Sequence, residues 1–285
     1  MVRDVANVRS CLFIRTLALT GAILPASEHG SGWCSQPLAL RSLQRDQMFP
    51  GLVPMSRDRK PEVMDQSGLD PAEHDRALRG LRRINAISRC VPGLFQHLQA
   101  VSREAPGNRL SVLELACGGA DTAIALAAIA KRRKLNWTIQ ACDLNPEAIH
   151  IARRNVLRQN SSVDLFVADA LDPPETEIFD VVYCTLFVHH LDPADVVRLL
   201  SVMATRARRL VLVDDLIRSR LGYALAWAGT RLLSRSWVVH HDGPLSVKAA
   251  FTPSEILDLA ARAGLHNSLL ERNWPERYRL CWRPN

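Results

Sequence analysis

Apolar positions become regularly spaced only from about Ala72 onward. Leu78, Leu81, Ile84 and Ile87 recur at helical spacing and predict an amphipathic helix, with a break near Pro92-Gly93 and a second helix after it. From Arg109 the pattern changes to short Val/Leu/Ile-rich runs separated by helical stretches. Strands are expected at 109–117, 137–144, 163–171, 179–188 and 209–217. A helix follows the first strand from Asp121 to about Arg132. Two more open on Asn145-Pro146 and Asp192-Pro193, each a cap residue followed by a first-turn proline. Farther on, Thr252 and Glu255 stand at capping-box spacing, with Gly264 as a stop. The runs 266–272 and 277–283 read as a closing hairpin around "NWPE".

Short apolar strands separated by helices are the mark of a parallel sheet covered on both faces. The expected fold is therefore α/β: a Rossmann-like, seven-stranded, mostly parallel sheet with helices on both faces and an antiparallel last strand. Residues 64–105 read as an N-terminal helical cap, and 106–285 as the main domain with a helical lid inserted at about 218–251. Residues 1–63 are rich in Ser, Pro, Gly and Arg without clear periodicity. They read as a disordered leader or an extension upstream of the natural start, with Met48, Met55 and Met64 as alternative starts. The rival reading is a cleaved signal, but Arg15 interrupts the apolar run from Cys11 to Ala26.

In such sheets ligands bind beyond the carboxyl ends of the strands, near the switch in strand order. Those ends carry the candidate chemistry here. "VLELACGGADTA" places Gly118-Gly119 between the first strand and its helix, where the backbone can approach a ligand closely. Asp143 ends the second strand and can accept from a ribose diol. Asp169-Ala170 ends the third, and "CTLFVHHL" the fourth. A dinucleotide fingerprint wants a small residue where Asp121 stands; a carboxylate there would repel pyrophosphate and favour a cationic, ribose-bearing ligand.

With these motifs the region from about 75 to 285 resembles class I S-adenosylmethionine-dependent methyltransferases, of the small-molecule type that includes quinone and polyketide methylating enzymes. "LELACGGA" is similar to the family's acid-x-G-x-G-x-G loop, with Glu114 as the acid, Gly118 as the middle glycine, and Ala116 and Ala120 in the outer places. Alanine there asks for a negative φ or a slightly displaced cofactor. The resemblance implies S-adenosylmethionine as cofactor. Asp143, with Leu144 next to it, would hold the ribose; Asp169 and the Ala170 N–H would hold the adenine. The loop through Glu114, Ala116, Cys117, Gly118, Gly119 and Asp121 would flank the methionine portion, with the backbone of Thr185 and Leu186 at its amino-acid end.

Methyl transfer asks the protein mainly to align the acceptor and exclude water. A phenol or enol also needs a proton acceptor, for which His189, His190, His240 and His241 are the candidates, Asp242 being placed to orient a ring. Adjacent histidines without a third ligand in register are poor chelators, so no metal is expected. The segment 218–251 contains Tyr223, Trp227 and Trp237. It reads as a lid over a hydrophobic or aromatic acceptor, with an interfacial membrane helix and a plain packing helix as alternatives.

Composition modifies this little. The chain has 285 residues, 47% of them hydrophobic, and a net charge of +7. Its basic residues are scattered, which suits a solvated face better than a nucleic-acid footprint. The residues after the fourth strand lack the proline-aromatic run of adenine-N6 methylases, so no nucleic acid partner is expected. Seven cysteines without C-x-x-C spacing favour a reducing compartment, and no run is apolar enough to cross a membrane. A cytoplasmic protein, with weak contact at a membrane surface left open, is the expected setting. The alternatives kept are a non-catalytic methyltransferase-like binding module and an RNA or protein methyltransferase.

Overall fold

The computed structural model describes residues 55–65, 68–88, 90–172 and 177–284. The proposed leader through residue 54, with its signal-like run, lies outside them.

Seven strands form one sheet: β1 (Arg109–Leu115), β2 (Asn136–Asp143), β3 (Val163–Val167), β4 (Phe179–Thr185), β5 (Ala207–Leu216), β6 (Leu269–Asn273) and β7 (Arg277–Trp282). Their order is β3-β2-β1-β4-β5-β7-β6. The first five pair in parallel, and β7 lies antiparallel between β5 and β6. Strand order reverses between β1 and β4, so a crevice opens past their carboxyl ends. Val112 faces Ile139 on one side and Val181 on the other, which explains the near-continuous apolar runs of the central strands. The closing hairpin lies where the sequence predicts it. The third and fourth strands end sooner than read, at Val167 and Thr185, because the residues after them turn to build the crevice.

Eight helices among the described residues cover the sheet and its edges: α1 (Pro71–Ile87), α2 (Cys90–Arg103), α3 (Asp121–Arg132), α4 (Pro146–Arg158), α5 (Pro193–Arg206), α6 (Arg220–Leu233), α7 (Trp237–Ala249) and α8 (Pro253–Arg262). One core face joins Leu113, Val182 and Val213 to Leu199 and Met203 of α5 and Ile256 of α8. The other joins Val112, Val181 and Leu212 to Leu98 of α2 and Ile124 of α3. The expected break near Pro92-Gly93 falls instead between Ile87 and Cys90. Pro92 lies in the first turn of α2, where its missing N–H costs nothing.

The insertion forms two helices, α6 and α7, and α7 packs with α1 in a small separate core of Ala77, Val238 and Val239. Helix α7 runs through "HHDGPLS" with Pro244 inside it.

Residues 55–63 also depart from the expected leader: they lie as a strap across the molecule. Asp58 N–H donates to Lys248 O at 3.1 Å, and the Arg57 guanidinium donates to Ala249 O and Leu191 O at 2.6 and 2.7 Å. Arg59 pairs with Asp192 at 2.8 Å. These bonds satisfy main-chain carbonyls at the ends of α7 and the β4–α5 turn, and hydropathy does not record that role.

Candidate functional site

After β1 the backbone enters the left-handed region three times at alternate positions: Ala116 (φ 53), Gly118 (φ 52) and Ala120 (φ 57). The expectation of negative φ at the alanines is thus corrected. The loop keeps a glycine-type path, and each alanine Cβ bears strain of roughly 1–2 kcal/mol. Four bonds hold this path. Ala120 N–H donates to Cys117 O at 2.8 Å, Cys117 N–H to Cys142 O at 2.9 Å, Gly118 N–H to Asp143 Oδ2 at 2.8 Å, and the Asn155 amide to Gly119 O at 2.9 Å. A Cβ added to Gly118 would meet no atom within 4 Å, so the space over the turn is open.

Glu114 lies beneath the turn, buried, and its Oε2 accepts from Ala123 N–H at 3.1 Å in the first turn of α3. Burial raises its carboxyl to about 8, and Tyr183 and the Ala123 bond offset part of that. Glu114 therefore shapes the loop from below. The Cys117 thiol, also pushed up by burial, rests 3.7 Å from Gly118 O.

Asp143 faces the turn from the end of β2. Besides Gly118 N–H it accepts from Asn145 N–H through Oδ1 at 2.9 Å. Each oxygen keeps acceptor capacity for a ribose hydroxyl. Leu144 beside it is 65% exposed, an apolar shelf at the lip of the crevice. Ala168 N–H donates to Asp143 O at 3.1 Å, joining the second and third strand ends. Asp169 accepts from Leu171 N–H at 2.8 Å, and Ala170 is buried. At the end of β4, Leu186 is held at φ 52, with its N–H on Asp214 O at 2.9 Å. A bulky residue in that region is strain kept at a site, not at a random turn.

Thr185, Leu186 and Asp121 line a cavity of about 430 Å³ together with Arg82, Arg158 and Arg277. Asp121 is not the lone carboxylate the sequence argument assumed. Arg82 Nε lies 3.7 Å away, and Arg158 also acts to lower its pKa, although burial still raises it. Three guanidinium groups against one carboxylate make this cavity cationic.

The four histidines separate by environment. His189 is buried, with Nδ1 2.7 Å from Asp215 Oδ1 and Nε2 3.8 Å from Glu62 Oε1. Burial alone would lower its pKa, but the two carboxylates outweigh it and the net shift is upward. His190 stacks on it at 4.2 Å, and burial and His189 lower it to about 3. His240 Nε2 lies 2.9 Å from Ser234 O. His241 is half exposed, with Nδ1 2.9 Å from Asp242 Oδ1, as the sequence suggested. The Asp242 carboxylate also accepts from Val63 and Met64 N–H at 3.0 Å each, tying the strap to α7. His240 and His241 line a second cavity, of about 410 Å³ between α6 and α7, with Tyr223, Trp227 and Trp237. It shares no lining residue with the first.

Sequence reasoning missed Asp214, Arg277, Arg82 and Glu62. Asp214 lies within β5, two residues before its end, and "VDD" places an acid pair inside an otherwise apolar strand. The arginines lie far from it in sequence and give no motif. Glu62, His189 and His190 bring one ligand atom each within 4.8 Å of the others, so Glu62 supplies the third ligand in register that the sequence reading lacked. Within that cluster His189 lies between the Asp215 and Glu62 carboxylates.

A family model described as a methyltransferase domain matches residues 112–209. A ubiquinone biosynthesis O-methyltransferase of Thiobacillus denitrificans is 31% identical over 188 residues, which cover 61% of this chain and 72% of that protein. The protein of the same name from Xanthomonas axonopodis pv. citri is 27% identical over 179 residues, covering 60% and 71%. Among solved structures, the plantazolicin methyltransferase BpumL in complex with SAH matches with a TM-score of 0.58 and 14% identity, covering 76% of this chain and 92% of that one. This last likeness concerns the fold.

Proposed function

The chain belongs to the class I S-adenosylmethionine-dependent methyltransferases, and from that premise we propose that it methylates an oxygen of a hydrophobic phenolic or quinol-like small molecule. The observation that carries this reading is the open space over Gly118, with the Asp143 carboxylate bonded into the turn beside it. These residues fit the methyl donor. Asp143 and Leu144 would take the ribose, Asp169 and Ala170 the adenine. Ala116, Cys117, Gly118 and Gly119 present backbone to the methionine portion, with Asp121, Thr185 and Leu186 along the adjoining cavity. When bound, S-adenosylmethionine supplies an electrophilic methyl group on a sulfonium.

The protein's own contribution is alignment and exclusion of water. An apolar acceptor finds Tyr223, Trp227 and Trp237 in the groove between α6 and α7. Among the four histidines, His241 is the proposed proton acceptor: its Nδ1 lies 2.9 Å from Asp242 Oδ1, and the ring lines the groove. His189 has a carboxylate on each side of its ring, and His190 is too weakly basic to hold a proton near neutral pH. A base in the groove acts only on an acceptor whose ionising end reaches it. The exposed apolar residues of α6 further support a peripheral contact with a membrane surface, from which such an acceptor would be drawn.

Calorimetric titration with S-adenosylhomocysteine tests the donor site. Asp143→Ala should weaken binding at least 100-fold in a folded protein, and unchanged affinity would remove the site. Methylation of a panel of catechols then tests the acceptor. His241→Ala should lower turnover more than tenfold and leave S-adenosylhomocysteine affinity intact. Turnover unchanged in both His241→Ala and His190→Ala would leave alignment alone to account for the rate.

A further inference from the structure

His189, His190 and Glu62 form a group that lines neither cavity. The histidines come from the turn after β4, and Glu62 comes from the strap. One ligand atom from each lies within 4.8 Å of the other two. His189 Nε2 stands 3.8 Å from Glu62 Oε1, too far for a hydrogen bond. Donor atoms around a tetrahedral ion stand roughly 3.3–3.6 Å apart, for bonds of about 2.0–2.2 Å. The group needs only a small inward shift to close on one ion.

Asp215 stands behind His189. Its Oδ1 lies 2.7 Å from Nδ1, and its Oδ2 accepts from the His189 main-chain N–H at 3.2 Å. In the neutral ring this bond keeps the proton on Nδ1 and leaves the lone pair on Nε2, facing Glu62. A carboxylate placed so is the outer partner that ligating histidines use: it fixes the ring and makes it a stronger ligand. His190, lowered by burial and by His189, is uncharged near neutral pH, the form in which an imidazole ligates. Glu62 is held from both directions along the strap. Arg57 and Arg59 donate to His189 O and His190 O at 3.3 and 3.2 Å, and Val63 and Met64 N–H bind Asp242. The Ser246 hydroxyl donates to Glu62 Oε1. Other bonds therefore set the ligands in place before anything binds.

Two imidazoles and one carboxylate suit first-row divalent ions rather than magnesium or calcium, which take oxygen ligands. We propose that Glu62, His189 and His190 bind a divalent transition-metal ion of the zinc class, with one position left for water or another oxygen ligand. The Glu62 and Asp215 carboxylates balance the two charges of the ion, and binding displaces any proton on His189 Nε2. The ion would fasten the strap to the β4–α5 turn and so stabilise the folded chain. Binding of the ion requires neither the methyl donor nor the acceptor, so this inference stands or falls apart from the methyltransferase reading.

The test titrates zinc chloride calorimetrically into the full chain after treatment with a chelator, and compares thermal melts with and without zinc. The wild type should bind a single zinc ion per chain and melt higher in its presence. Glu62→Gln keeps an acceptor for the Ser246 hydroxyl and removes the charged ligand, and should weaken zinc binding at least tenfold. His190→Gln should do the same. A second group of three possible ligands, His97, Glu271 and Cys281, is the internal control: His97→Ala should bind zinc as the wild type does. Cobalt(II) added to the wild type gives a readout that needs no variant, and so decides the matter even if the substitutions unfold the chain. The site should show the visible absorption of a nitrogen- and oxygen-ligated ion, without the thiolate charge-transfer band that Cys281 would add. No saturable zinc binding by the wild type, affinities of Glu62→Gln and His190→Gln within twofold of it, or a thiolate band with cobalt would overturn the proposal. Zinc binding lost in His97→Ala would overturn it equally, by assigning the ion to the other group.

Discussion

Glu114 illustrates how a single side chain can be recognised in sequence and misjudged in role. Its place as the acid before the glycine turn is plain from the motif, but its burial is not. A carboxyl raised to about 8 in the folded chain, against an ordinary value of 4.5, holds its proton at neutral pH. The unfolded chain releases that proton more readily, so folding binds a proton between the two values. The contribution to stability is complete below about pH 4.5 and is lost as the pH rises through about 8. Glu114→Gln keeps an acceptor for Ala123 N–H and removes the charge. Its melting temperature should match or fall below wild type at pH 5 and exceed it at pH 8, by several degrees. Parallel curves for the two proteins across that range would show that the carboxyl is not perturbed. The acids Asp143 and Asp169 were legible because strand ends announce them. The positive φ of Ala116 and Ala120 was not, because it is imposed by bonds from Asp143 and Asn155 that arrive from other elements.

At the level of elements, the alternation of strands and helices was readable because parallel strands are apolar on both faces and prolines mark the helix starts; Asn145 and Thr252 cap their helices with side-chain bonds, whereas the expected Asp192 cap makes none. The α6–α7 pair was legible only in its first half. Helix α7 runs through Gly243-Pro244, a pairing that signals a turn. What overrides the signal is packing: a Cβ on Gly243 would lie 2.5 Å from Cγ2 of buried Thr230 on α6, so the glycine permits the two helices to approach. Gly243→Ala should therefore destabilise by roughly 1–3 kcal/mol, the usual cost of overpacking, although alanine is the better helix former. Thr230→Ser deletes the opposing methyl and keeps the hydroxyl that donates to Trp227 O at 3.2 Å. Combined with Gly243→Ala it should recover most of the loss. Denaturant midpoints of the four proteins decide this. An additive double variant would mean that the two residues do not meet.

For the whole molecule, the sheet and its two cores account for the fold but not for the face that α6 presents. Leu221, Trp227 and Leu232 are 58%, 50% and 83% exposed, and Trp237 at the start of α7 is 53% exposed. α6 contains Arg220 and Arg231 and no acidic residue, and the Arg231 guanidinium lies 4.3 Å over the Trp227 ring. Exposed leucine and tryptophan beside arginines fit the boundary of an anionic bilayer, where rings and stems enter the headgroup layer and guanidiniums meet lipid phosphates. No helix among the described residues is long and apolar enough to cross a membrane, so the contact would be a surface one. The protein should sediment with phosphatidylglycerol vesicles more than with phosphatidylcholine vesicles, and raised salt should release it. Partial burial of each large side chain contributes on the order of 1–2 kcal/mol, so Trp227→Ser with Leu232→Ser should weaken partitioning at least tenfold. Both residues lie outside the glycine turn, so S-adenosylhomocysteine affinity should be unchanged in the double variant. Equal partitioning of variant and wild type, insensitive to salt, would assign this face to some other contact. The groove of Trp227 and Trp237 would then need a different route for an apolar acceptor.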